Sequence, residues 1–129
     1  MKFWRYWLPV VVYMGIIFYF SSRTGDQISL PTPDYIAHGV EYAGLGFLLF
    51  RAWRGTWPGV PIGRAALWAV VTAILYGVSD EWHQSFVPGR MASVKDLVAD
   101  GVGAALGQLA GVYLEKWAAK KAKNKPYSY

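Results

Sequence analysis

Residues 4–20 read WRYWLPVVVYMGIIFYF, a run whose single charge is Arg5. No polar residues recur in it at helical spacing. A surface helix of a soluble protein keeps one polar face, whereas a run that is apolar all round needs lipid or a large core about it. A chain of 129 residues has one domain's worth of sequence and little core to offer. The run is therefore read as a membrane span. Lys2 and Arg5 would equally suit the charged start of a signal peptide, but the run closes on Phe18-Tyr19-Phe20 with no A-x-A cleavage pattern. A retained helix fits better.

Three more spans follow outward from it. Leu30-Pro31-Thr32-Pro33 precedes a second at about 34–53, Pro58-Gly59-Val60-Pro61 a third at about 64–86, and Val87-Pro88-Gly89-Arg90 a fourth at about 93–117. Proline and glycine at each junction are the residues that end helices. Ser93 with Asp96 resembles a capping box at the head of the fourth span, with Asp in place of Glu or Gln. The expected fold is all-α, an integral membrane bundle of four transmembrane helices over 1–117, with a basic cytoplasmic tail at 118–129. Composition agrees: 54% of residues are hydrophobic and 16% charged, against roughly 25% charged in a soluble domain. The absence of cysteine excludes disulfides, zinc–thiolate sites and thiol nucleophiles. The net charge of +5 does not point to nucleic acid, because the basic residues lie at segment ends and in the tail.

Basic residues also set orientation. Lys2, Arg5, Arg51, Arg54, Arg64, Lys116, Lys120, Lys121, Lys123 and Lys125 fall on one side of a four-span chain, and Arg23, Arg90 and Lys95 on the other. The side rich in Lys and Arg is cytoplasmic, which predicts both termini inside. The acids segregate the opposite way. Asp26, Asp34, Glu41, Asp80, Glu81, Asp96 and Asp100 map to the outer half and only Glu115 to the inner. Acidic residues contribute little to topology, so this half needs its own explanation. Ala99, Gly103, Gly107 and Gly111 at four-residue spacing, echoed by Gly39 and Ala43, allow close helix approach. Packing inside the bundle is the first reading of this stripe, and a homodimer seam the second.

Helical spacing gathers the outer polar residues into faces: Asp34, His38, Glu41 and Tyr42 on the second span; Tyr76, Asp80, His83 and Gln84 on the third, with Glu81 beside them; Asp96 and Asp100 on the fourth. Asp34 and Asp96 also have a simpler reading as helix caps. A lone carboxylate below the headgroups costs at least ~2.5 kcal/mol, so such groups face one another, water, an ion or a substrate. One shared pocket is the simplest arrangement. Crowded carboxylates in a low dielectric cannot all stay ionised, and His38 and His83, the two histidines, suit proton transfer. The expected catalytic residues are His38, Glu41, Glu81, Asp80 and Asp100. Arg90, Gln84, Tyr42 and His83 are the expected substrate-binding residues, with Arg90 suited to a phosphate. Excess negative charge favours a divalent cation on oxygen ligands, for which Asp34, Asp80 and Asp96 are the candidates. No Ser-His-Asp order, Walker loop or HExxH motif is present.

Asp34-Tyr35-Ile36-Ala37-His38, Glu41-Tyr42-Ala43-Gly44-Leu45-Gly46, the block Tyr76 to Gln84, then Phe86-Val87-Pro88-Gly89-Arg90 with Ser93, Asp96 and Asp100-Gly101-Val102-Gly103-Ala104 resemble the signature blocks of VanZ-like membrane proteins. The likeness spans roughly Phe18 to Gly111. It implies a multi-pass protein of the bacterial cytoplasmic membrane. The founding member of that family is associated with low-level resistance to the glycopeptide teicoplanin, and comparisons within the family suggest kinship with enzymes that exchange or hydrolyse lipid headgroups. His83 stands where the resemblance leads one to expect an apolar residue, and Asp100 where it leads one to expect Asn.

Two functions follow as expectations. The first is an enzyme acting on lipid or lipid-linked phosphate headgroups in cell-envelope metabolism, a phosphoester transferase or hydrolase. The second is a non-catalytic envelope or glycopeptide-binding protein, in which exposed residues such as Arg23, Asp26 and Arg90 matter most. A transporter fits less well, because only Gln108 is polar deeper in the spans.

Overall fold

Proline decides where two of the helices start. Pro33 (φ −56°, ψ 142°) and Pro61 (φ −54°, ψ 142°) hold extended backbone immediately before helical residues. The ring fixes φ and removes the N–H that a helix interior would need. The structure is a computed structural model that describes residues 2–23 and 33–124. Within these residues lie four α-helices and no strand: α1 (Lys2–Ser21), α2 (Asp34–Thr56), α3 (Ile62–Gln84) and α4 (Val94–Lys123). Asp26, the Leu30-Pro31-Thr32 part of the first breaker and Lys125 lie outside the described residues.

The expected segments all appear, with shifted ends. The fourth helix runs to Lys123 instead of stopping near Trp117. Ala118, Ala119 and Ala122 have high helix propensity, and Lys120, Lys121 and Lys123 in the last turn complement the helix dipole. The third stops at Gln84, where Phe86 and Val87 fold into tight turns donating to His83 and Gln84 carbonyls. Ser93 does cap α4, accepting from the Lys95 N–H at 3.2 Å. Its own N–H is not returned to Asp96 as a capping box requires; it goes to Glu81 of α3. Nor does Asp34 cap α2, since Pro33 holds that position and no side-chain cap bond forms.

Helices α2 and α4 form the closest pair. A Cβ on Gly46 would collide with the Ala104 backbone, one on Gly103 with Gly39, and one on Gly107 with Ala43. The glycine stripe is thus spent inside the chain, where the two backbones touch. A homodimer through the same face would have to displace α2. Helix α3 packs against both α2 and α4, while α1 lies chiefly on α2. Two tyrosines fasten α1 across the bundle: Tyr13 donates to the Glu41 carbonyl at 3.0 Å, and Tyr76 to that of Met14 at 2.6 Å.

Three of the helices, α1, α3 and α4, are long and apolar enough to cross a membrane. Their large side chains face outward, among them Trp4, Val12, Leu67, Leu75, Leu106 and Tyr113. Apolar surface this extensive on a monomer marks a lipid-facing exterior. Helix α2 is as long as α3 but carries Asp34, Glu41, Arg51 and Arg54, and its neighbours cover much of it.

Candidate functional site

The ends of α1 and α3 meet the starts of α2 and α4 at one pole of the bundle, and this meeting concentrates the polar side chains. A cavity of about 240 Å³ opens there, lined by Phe20, Ser21, Asp34, Ala37, His38, Glu41, Asp80, Gln84 and Arg90. Asp34, His38 and Glu41 come from successive turns of one face of α2, because residues three and four apart stack along a helix. Asp80 and Gln84 come from one face of α3 by the same rule, and Gln84 Nε2 donates to Asp80 Oδ2 at 3.3 Å.

Behind this lining stands a second layer. Asp100 is fully buried, and its Oδ1 lies 2.9 Å from His38 Nδ1. Against an ionised carboxylate it is the ring N–H that donates, which leaves Nε2 as the nitrogen free for the cavity. Glu81 lies on the other side, its Oε1 3.9 Å from the same Nδ1. Its Oε2 accepts the Ser93 backbone N–H at 2.8 Å, so the start of α4 fixes the direction of an α3 side chain. Room for the Asp100 carboxylate depends on Gly77, where a Cβ would sit 2.9 Å from Oδ2. The Tyr42 ring lies nearly parallel to that of His38, centroids 6.4 Å apart.

Several of these buried atoms have no partner. Asp80 Oδ1, Glu81 Oε1, Asp100 Oδ2, Tyr42 Oη and Ser21 Oγ make no hydrogen bond. Buried polar groups are normally paired, and an orphaned carboxylate oxygen costs more than an orphaned neutral group. These atoms lie together at the pole where the cavity opens. Arg90 supplies the positive charge of the lining. Its Nε and Nη2 donate to the carbonyls of Arg23 and Phe20 at 3.2 and 3.3 Å, which holds the guanidinium beside the end of α1.

The chain that carries this cavity matches a known family. A family model described as VanZ/LLP1 aligns with residues 6–114. The chain belongs to the VanZ/LLP1 family. No curated protein and no solved structure matches it.

In this VanZ/LLP1 chain the structure brings together nine of the residues singled out from sequence. Asp34, His38, Glu41, Asp80, Gln84 and Arg90 line the cavity, and Tyr42, Glu81 and Asp100 lie directly behind them. Two stand apart. His83 packs on Phe18 of α1, ring centroids 4.4 Å apart, outside the cavity lining. Position 83 lies about 60° round the helix from position 80, enough to turn the ring toward α1. Asp96 lines a neighbouring cleft with Asp34, Gln84, Arg90 and Ser93. Asp34, Asp80 and Asp96 accordingly do not form one ligand set. Among the described residues, the carboxylates that converge with a histidine are Glu81 and Asp100, with His38. Sequence reasoning missed Ser21, Phe20 and the Ser93 N–H. Ser21 follows an apolar run with no polar stripe, and a backbone donor leaves no mark in a sequence.

Proposed function

We propose that this VanZ/LLP1 protein crosses the bacterial cytoplasmic membrane four times with both termini inside, and that its polar cavity acts on the phosphate of a lipid or lipid-linked headgroup in the outer leaflet. The segregation of Lys and Arg supports the orientation. In that orientation the pole formed by the α2 and α4 N-termini faces the outer surface. Residues 118–129 then lie on the cytoplasmic side, where basic side chains attract anionic lipid.

One observation carries the chemical reading: a single fixed guanidinium, Arg90, shares a small cavity with three acids, Asp34, Glu41 and Asp80, and a histidine backed by a carboxylate. Arginine in a fixed geometry suits a phosphate. Glu41 and His38 can receive the proton of an attacking water or alcohol as its oxygen bonds to phosphorus. Asp80 can return a proton to the alkoxide that departs, while Gln84 fixes its orientation. Ser21, in the cavity lining, supplies a further hydrogen bond.

Deletion of the protein, followed by mass spectrometry of membrane lipids and lipid-linked precursors, tests this reading. Loss of one headgroup product with build-up of its precursor is expected, and Glu41→Gln should reproduce the deletion while the protein still inserts. An unchanged lipid profile would sink the catalytic reading in favour of an envelope or glycopeptide-binding role. In that case Arg23→Ala or Arg90→Ala would matter more than Glu41→Ala.

A further inference from the structure

We propose that His38, Glu81 and Asp100 together bind one divalent transition-metal ion in the wall of the cavity. Each residue offers a ligand atom, and the three atoms lie within 4.8 Å of one another. All three side chains are buried: the residues are 6%, 7% and 0% exposed. Glu81 Oε1, the oxygen on the His38 side, is among the unpartnered buried atoms, so one oxygen of a buried carboxylate faces the cluster with nothing bonded to it.

The distances suit an ion. With metal–ligand bonds of about 2.1 Å, adjacent ligands lie about 3 Å apart around an octahedral ion and about 3.4 Å apart around a tetrahedral one. The His38 Nδ1 to Asp100 Oδ1 separation of 2.9 Å matches the first, and the 3.9 Å from Nδ1 to Glu81 Oε1 is longer than either, so the Glu81 carboxylate would close on the ion by about half an ångström. Two carboxylates and one imidazole favour Zn2+, Mn2+ or Fe2+; Ca2+ takes six to eight oxygens. Binding would move the imidazole proton from Nδ1 to Nε2 and exchange the His38–Asp100 hydrogen bond for two metal bonds. The divalent charge would balance both carboxylates inside a low dielectric, where an unpaired charge is costly. Outer support is already built. Ser93 holds the far oxygen of Glu81, the kind of hydrogen bond that orients metal-ligating carboxylates, and Gly77 leaves space beside Asp100 Oδ2.

This site stands on the geometry of the cluster, independently of the headgroup reading. It alters one role there: an ion on Nδ1 leaves His38 with an N–H at Nε2, a donor only, so Glu41 alone receives the proton.

The test uses the full chain purified in detergent, stripped with chelator and titrated with Mn2+, with free ion followed by its electron paramagnetic resonance signal. One Mn2+ per chain is expected, displaced by Zn2+. Glu81→Gln and Asp100→Asn should each weaken binding at least about tenfold, and Glu41→Gln should bind as the unaltered chain. Pulsed resonance should show nitrogen coupling from a coordinated imidazole, retained in His83→Gln, and this reading of the unaltered ligand set does not depend on the stability of Glu81 or Asp100 variants. Absence of saturable Mn2+ binding, wild-type affinity in Glu81→Gln, or a nitrogen signal that vanishes with His83 overturns the proposal. A chain that binds no Mn2+ while Glu41→Gln still changes the lipids removes the ion and leaves the headgroup chemistry. Mn2+ binding with an unchanged lipid profile does the reverse.

Discussion

Each pole of the bundle holds charge, and the two handle it differently. At the basic pole Arg54 Nε donates to both oxygens of Glu115 at 3.1 Å, and Arg54 Nη1 reaches the Pro58 and Val60 carbonyls. Trp7 Nε1 closes the corner by donating to Thr56 Oγ1 at 2.9 Å. The Glu115 carboxylate has both oxygens bonded and sits opposite its counter-charge. At the acidic pole Asp80, Glu81 and Asp100 each keep one oxygen unbonded, and they outnumber the nearby cations. The first arrangement ties α2 to α4 and is complete as it stands. The second carries more negative charge than its own hydrogen bonds satisfy.

That contrast can be broken at three places. The largest effect is expected between the poles, where both depend on the same close helix approach. Gly107→Leu drives a side chain into the Ala43 backbone of α2. No rotamer change relieves a backbone collision, and the protein should no longer elute as a monodisperse species on size exclusion. A monodisperse Gly107→Leu would show that the α2–α4 contact does not hold the bundle.

Glu81→Gln sharpens the acidic side. Its amide oxygen can still accept from Ser93, so the fold should survive while the charge is lost. Headgroup turnover should fall by roughly 100-fold or more, within the range for removing an acid–base or charge-stabilising group, with thermal stability held or raised. A loss of stability instead would make Glu81 a structural residue like Glu115. The smallest effect belongs to the basic side. Glu115→Gln should lower stability in a detergent melt by no more than about 1 kcal/mol, because the pair is partly open to its surroundings, and should leave turnover unaltered. A change in turnover there would mean that the two poles communicate.

How much of this was legible in the chain varied with the distance over which a feature acts. The spans could be read because lipid demands long apolar runs, and Pro33, Pro61 and the Pro88-Gly89 turn mark their limits. Gly89 does adopt the left-handed conformation expected of such a turn, with φ 76°. The polar faces of α2 and α3 followed from helical periodicity, and Asp34, His38, Glu41, Asp80 and Gln84 all reach the cavity. His83 shares the sequence pattern yet packs on Phe18, because a face read from spacing is broad and only packing decides its edge. The Arg54–Glu115 pair, 61 residues apart, left no sequence signal at all.

The sequence by itself determined that the chain forms four long helices with apolar exteriors and that its acids collect at one end, since both follow from local runs and periodicities. Tertiary structure decided which of those acids meet. Asp100 joins His38 across 62 residues because the glycines of α4 let its backbone lie against α2. Glu81 joins them because the N–H that opens α4 at Ser93 holds its far oxygen. Contacts of that kind depend on how two helices are placed against each other, which no stretch of either helix encodes alone.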